Sequence, residues 1–221
     1  REELASVSVK NRRHASLNPI AQFRKPITLD DVLAQKPIVE PLGLYEVPPR
    51  GDGAACLVVV DEEIAKASGK PYVRVRGRGF FHEGAHQINE VPNDMIALVS
   101  AQRAGQAAYQ EAGVAAGDID LAELYAPCTI IEVLASEALG LVPRGQGARL
   151  CAEGVTSLGG QIPISTSGGL QSRGHPAHVT PFYSLFELKE QLTGRAGERQ
   201  VKGARLGVTS AELGNYNAAL V

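Results

Sequence analysis

The hydrophobic pattern changes its character near residue 52, and the change predicts where regular structure begins. Residues 1–14 mix apolar and basic positions and read as the end of a helix. Between residues 15 and 52 the apolar pieces are short. They are cut by Pro19, Pro26, Pro37, Pro41, Pro48 and Pro49, so no long helix fits there. One short helix is predicted over 29–35, capped by Thr28 and with Asp30 and Asp31 in its first turn. The rest of 1–52 is expected to be extended and irregular, and 53–221 to form the main α/β domain.

After residue 52 strand-like and helix-like periods alternate. Cys56-Leu57-Val58-Val59-Val60 is apolar on both faces, which predicts a buried strand over 54–60. A helical turn or two follows over 61–68, closed by Gly69. Val73 and Val75 alternate with Arg74, Arg76 and Arg78, which predicts a strand over 72–81 with one wet face. A helix is predicted over 95–112, with Asn93 or Asp94 as cap and Gly113 as stop. Then come a strand over 120–125, a helix over 129–139 closed by Gly140, a strand over 163–166 and a long helix within 174–192. Strands over 205–210 and 217–221 end the chain. This alternation predicts a layered α/β sheet.

Composition narrows the function classes. The 221 residues are 44% hydrophobic and 21% charged, as in folded globular proteins. The longest apolar run is far short of the roughly 20 residues that span a bilayer, so no membrane span is expected. A formal net charge of −2 provides no positive field for nucleic acid. Three cysteines, Cys56, Cys128 and Cys151, without close pairing suggest reduced thiols and a cytoplasmic setting. No His or Cys cluster has metal-ligand spacing, so no metal is expected. The chain opens on Arg1-Glu2-Glu3-Leu4 in what reads as mid-helix, as a fragment or one half of a longer protein would.

Three segments could carry chemistry. In Ser165-Thr166-Ser167-Gly168-Gly169-Leu170-Gln171-Ser172-Arg173-Gly174-His175-Pro176 two glycine clusters flank a His. Such a loop suits acid–base work or oxyanion stabilisation, and equally an ordinary glycine-rich turn with a surface His. Glu123-Leu124-Tyr125-Ala126-Pro127-Cys128 joins a predicted strand end to a helix start, the usual place for ligands in open α/β sheets. A helix start would lower the pKa of Cys128; the competing reading makes it a small buried apolar residue. Ser210-Ala211-Glu212-Leu213-Gly214-Asn215-Tyr216-Asn217 is a polar turn between two apolar strands, which a tight hairpin also explains.

Taken together, these segments resemble the C-terminal half of thiolases, in the lipid-transfer-protein and sterol-carrier-protein branch. Further markers are Ser8-Val9-Lys10-Asn11, Asn18-Pro19-Ile20-Ala21-Gln22-Phe23-Arg24-Lys25-Pro26, Gly51-Asp52-Gly53-Ala54-Ala55 and Glu190-Gln191-Leu192-Thr193-Gly194. The resemblance covers essentially the whole chain. It implies an α/β, thiolase-like layered fold, C-terminal half only, with a mixed, mostly parallel five-stranded sheet and helices on both faces. Residues 1–52 would then be the end of the N-terminal half and a remnant of its loop domain.

The resemblance also assigns roles. His175 matches the catalytic His of a Gly-His-Pro motif. Tyr125 falls where the family holds an oxyanion-hole water with Asn or His, and resembles the Tyr of thiolase-like steroid side-chain aldolases. Glu212 falls at the position of the second, acid–base Cys. Gly214 matches the glycine whose N–H completes an oxyanion hole. Ser167, Gly168 and Gly169 are candidates for substrate binding. His178, two positions after Pro176, departs from the family's pattern; it is read either as a tuner of His175 or as a packing substitution.

The family's nucleophilic Cys belongs to the N-terminal half, and no segment here matches that half. The implied activity is carbon–carbon bond cleavage or formation on a lipid or steroid 3-ketoacyl-CoA. Coenzyme A thioester is then the substrate, with no further cofactor. The implied partners are acyl-CoA, the N-terminal half or a complementary chain, and further copies in a homo-oligomer. Two alternatives stand beside it. One is a retro-aldolase (a lyase) acting on a branched or steroid acyl-CoA with a small partner protein. The other is a non-catalytic lipid-binding or subunit-contact domain.

Overall fold

The computed structural model describes residues 1–83, 96–213 and 216–221. The chain opens with helix α1 (Glu2–Ser16), whose Glu2 and Glu3 start the helix and whose Arg13 lies in its last turn, matching the helix dipole. Helix α2 (Leu29–Leu33) is fixed by a reciprocal cap. Asp31 N donates to Thr28 Oγ1 at 3.1 Å, and Thr28 N donates to the Asp31 carboxylate at 2.8 Å. A small hairpin, β1 (Pro37–Val39) and β2 (Leu42–Gly43), and helix α3 (Glu62–Ala67) follow.

The main sheet has four strands: β3 (Arg78–His82), β4 (Leu121–Glu123), β5 (Gly207–Leu213) and β6 (Tyr216–Leu220). Their order is β3-β6-β5-β4, with β4 parallel to β5 and the other two pairs antiparallel. The sheet is therefore mixed as expected, but it has four strands and is mostly antiparallel.

One of the two predicted strands that do not form is 54–60, which is irregular and open to solvent; Val58 and Val59 are 85% and 87% exposed. An apolar run becomes a buried strand only where a neighbour satisfies its backbone. Among the described residues no strand pairs with it. Cys56 is exposed with it. The strand expected over 72–81 is likewise short. Pairing begins where Arg76 and Gly77 donate to the Val221 carbonyl, and only residues 78–82 form the strand.

Helix α4 (Val99–Ala112) covers one face of the sheet. Its buried Ala101, Ala104, Gly105, Ala108 and Ala112 form a smooth stripe that lets β3 come close. A Cβ placed on Gly79 would lie 1.8 Å from the Ala104 carbonyl oxygen. Gly113, at φ +69°, ends the helix as expected; the expected caps Asn93 and Asp94 lie outside the described residues. Ala122, Leu124 and Val208 join α4, Ile164 and helix α5 (Thr129–Ala138) in the main core. The alternate residue Gly207 faces Leu188 on the other side. Helix α6 (Gly147–Ala152), which the pattern did not predict, carries buried Cys151.

Two further expectations change around the glycine loop. Residues 163–166 make a single parallel bridge, Ile164 to Ala122. It ends because Ser165 turns to φ +56°. The helix expected within 174–192 begins only at Thr180, as α8 (Thr180–Leu192), and a short helix that was not expected, α7 (Gly169–Arg173), precedes it. Gly174 at φ +117° and Ala177 at φ +40° interrupt helical backbone, and Pro176 lacks an N–H. Residues 1–52 are not extended throughout, since α1 packs against α5, α6 and α7 and is largely buried.

Candidate active site

Strand order places the candidate residues at one edge. Tyr125 directly follows β4, Glu212 lies near the end of the neighbouring β5, and the loop after Ile164 runs beside β4. Tyr125 N donates to Ser210 Oγ at 3.2 Å, which ties the end of β4 to β5. Gly214 lies outside the described residues.

His175 and Tyr125 converge. The Tyr125 hydroxyl is 3.5 Å from His175 Nε2, and the rings meet edge to face with centroids 5.5 Å apart. The other ring nitrogen, Nδ1, is 2.9 Å from Thr180 Oγ1 at the start of α8. Thr180 is fully buried, so the imidazole is held from behind and turns Nε2 to the phenol. His178 is exposed on the 3₁₀ turn before α8.

Electrostatics favour neutral groups at this edge. Burial lowers the His175 pKa, and the charges of Arg173 and His178 lower it further. Burial raises the Tyr125 pKa, with Glu212 adding to it. Burial also pushes the Glu212 carboxyl up to about 7. The Cys128 thiol is raised by burial and then by Glu212 and Glu46. It is therefore not the activated thiol that its place at the start of α5 suggests, because desolvation and two carboxylates outweigh the helix dipole.

Beneath this edge lies a buried polar layer. Ser167, Gly168 and Gly169 belong to it and are buried. A Cβ on Gly168 would lie 2.5 Å from Ala15 Cβ, and one on Gly169 would lie 2.8 Å from Asn11 Nδ2. Both glycines thus let α1 sit on the loop. Ser167 Oγ donates to Glu123 Oε2 at 2.7 Å, and Asn18 Nδ2 donates to the Ser167 carbonyl at 2.9 Å. In the structure these three residues contact α1 and Glu123.

Sequence reasoning missed most of this layer. Lys10 Nζ donates to the Ile164 carbonyl at 2.8 Å and pairs with Glu132 at 2.7 Å. Asn11 Nδ2 and Ser165 Oγ both donate to Glu132 Oε2. Leu158 N donates to His14 Nε2, so His14 Nδ1 carries the proton and donates to the Ser165 carbonyl. Burial holds the His14 pKa at about 3, and it stays neutral. Lys10, Asn11 and Arg173 stand inside motifs quoted above, whereas His14 and Thr180 carry no local signature.

Among the described residues no group of three or more His, Cys, Asp or Glu is placed to hold a metal ion. No described helix is long and apolar enough to cross a membrane. Large apolar side chains are exposed away from the core, among them Phe80, Phe182 and Phe186.

Comparison with known proteins agrees with this geometry. Residues 83–221 match the family model described as thiolase C-terminal domain-like. Acetyl-CoA acetyltransferase of Methanothermobacter thermautotrophicus is 36% identical, across 100% of this chain and 57% of its own length. Sterol carrier protein 2 of Oryctolagus cuniculus is 33% identical, across 100% of this chain and 41% of its own. The solved structure of an Ltp2-ChsH2(DUF35) aldolase superposes with a TM-score of 0.83 at 25% identity, covering 99% of this chain and 58% of that one. The chain thus spans about half the length of these relatives. The family match covers well over half of the chain: this chain belongs to the thiolase family and carries its C-terminal domain.

Proposed function

We propose that this chain provides the acid–base and oxyanion half of an active site that makes or breaks carbon–carbon bonds in lipid or steroid acyl-CoA thioesters. The observation that carries the reading is the contact between the Tyr125 hydroxyl and His175 Nε2, at an edge where Glu212 also stays near neutral. A cysteine from the complementary half attacks the 3-keto carbonyl. His175 takes the thiol proton, and the bond between C2 and C3 breaks with its electron pair on C2. Glu212 protonates C2, which releases the shortened acyl-CoA, and the enzyme-bound acyl group passes to coenzyme A. Tyr125, His175 once it has taken the thiol proton, and the Gly214 N–H hydrogen-bond the C3 and thioester oxygens as they gain charge. Ser167, Gly168 and Gly169 act on the substrate only through the loop shape they set.

The partner is the N-terminal half of the fold or a complementary chain, and the exposed Phe182 and Phe186 support such a docking face. Homo-oligomers and a reducing, cytoplasmic setting are part of the same reading; the three free thiols fit the latter.

A second reading is supported by Tyr125 and by the likeness to the aldolase. The intact protein would then cleave a 3-hydroxyacyl-CoA as a lyase. Tyr125 passes its own proton to His175 Nε2 as it takes the hydroxyl proton, C2–C3 breaks, and the electrons pass into the thioester enolate, which is then protonated. The test is an assay of the assembled protein on matched 3-ketoacyl- and 3-hydroxyacyl-CoA substrates. Coenzyme A-dependent cleavage of the first supports the thiolase, cleavage of the second without free coenzyme A supports the lyase, and neither overturns both.

A further inference from the structure

Directly below Tyr125 and His175 a single hydroxyl faces two carboxyl groups. Thr166 Oγ1 is 3.0 Å from Glu123 Oε1 and 3.1 Å from Glu187 Oε1, and all three residues are buried. A hydroxyl carries one proton and donates once. Two ionised carboxylates cannot both face it without leaving one lone pair against another. One of the two carboxyls therefore donates to Thr166.

The surroundings assign which. Glu187 receives Arg199 Nε on both oxygens, at 2.9 and 3.0 Å, and Gln191 Nε2 at 2.9 Å. That is the setting of an ionised carboxylate. Glu123 receives neutral donors, Ser167 N at 2.9 Å and Ser167 Oγ at 2.7 Å, while Arg173 reaches it only at 3.6 Å. We infer that Glu123 is held in its protonated form and is a positioning residue, giving its proton to Thr166 Oγ1 while Thr166 donates to Glu187. Glu123 lies two positions before Tyr125, and its partner Ser167 and neighbour Arg173 lie on the loop that presents His175. The proton thus closes a chain of hydrogen bonds between the two elements that form the site.

The charge balance has a consequence. With Glu123 neutral, Arg173 loses its nearest counter-charge and keeps only Glu187, which Arg199 already pairs. Arg173 Nε and Nη2 are buried without a hydrogen-bond partner, and its guanidinium lies 5.3 Å from the centre of the Tyr183 ring. A fixed positive charge two positions from His175 favours a neutral imidazole, and it favours negative charge developing nearby; the second point rests on the function proposed above. Burial and Glu187 both favour the neutral form of Glu123, against Arg173 and the two Ser167 donors, and burial leads, so its pKa is raised.

The test is thermal melting of the full chain as Glu123→Gln and Glu187→Gln. Gln mimics a protonated carboxyl, so Glu123→Gln should melt within about 2 °C of the wild type near neutral pH. Glu187→Gln leaves Arg199 buried without its counter-charge and should melt roughly 10 °C lower or fail to fold. A group whose folded pKa is raised loses stability as pH rises above the ordinary carboxylate range. In a Glu212→Gln background, which removes that carboxyl's own titration, the wild-type Glu123 slope should persist. Adding Glu123→Gln should flatten it. A Glu123→Gln protein that melts as low as Glu187→Gln, or does not fold, overturns the assignment. So does a tolerated Glu187→Gln, or a slope that Glu123→Gln leaves unchanged.

Discussion

The Tyr125 hydroxyl and His175 Nε2 lie 3.5 Å apart although 50 positions separate the two residues. The contact exists because Tyr125 leaves β4 at the same sheet edge where the loop after Ile164 returns, and because Thr180 holds the imidazole from the far side. In the assembled protein, Tyr125→Phe should lower kcat about 100-fold, and His175→Ala about 1,000-fold. Steady-state assays on the acyl-CoA substrates check this. A Tyr125→Phe enzyme with unchanged kcat would remove the phenol from the chemistry.

Isolated, the 221-residue chain should turn over no 3-ketoacyl-CoA. The nucleophile is expected from the complementary half, and the Cys128 thiol is pushed up rather than down. Consumption of the free coenzyme A thiol would be followed by quenching samples with a chromogenic disulfide. Turnover lost on Cys128→Ala would make that residue the nucleophile instead.

Stability should fall as pH rises from about 4.5 towards 7 through Glu212. Its folded pKa is raised to about 7 by burial, so the folded state binds more protons than the unfolded one over that window. A shift of this size is worth at most about 3 kcal/mol. Glu212→Gln should remove this part of the slope in denaturant titrations at several pH values. A slope that does not change on substitution would mean that Glu212 is solvated and ordinary.

Lys10→Ala should destabilise the chain by about 3–5 kcal/mol, because it leaves Glu132 buried without its cation. Both side chains are nearly inaccessible, and the ammonium also holds the Ile164 carbonyl. Urea unfolding measures the loss, and a change under about 1 kcal/mol would mean that the pair is solvated in practice.

Gly168→Ala should cost about 2–4 kcal/mol. The residue sits at φ +106°, and an added Cβ would strike Ala15 of α1. Calorimetry of the variant reads the effect, and a neutral result would mean that α1 can shift away from the loop.

Local signals determined a good part of this protein. The Thr28 cap, the Gly69, Gly113 and Gly140 stops and the helix over Thr129–Ala138 depend on side chains within a few positions. Short-range sterics and capping bonds therefore suffice to predict them. Tyr125 follows a strand that the pattern predicted, and its meeting with His175 was implied by the resemblance and not by any local period. Only the tertiary structure decided the rest. The run at 54–60 has every local feature of a buried strand, yet it is exposed, because burial needs a pairing strand that no local pattern supplies. The glycines of the His175 loop read as ligand-facing but are buried under α1, whose Asn11 and Ala15 come from more than 150 positions away. The proton count at Thr166 depends on Glu123 and Glu187, which meet only when β4 packs on α8. Sequence spacing carries chemistry along one element; the partners that set ionisation arrive from others.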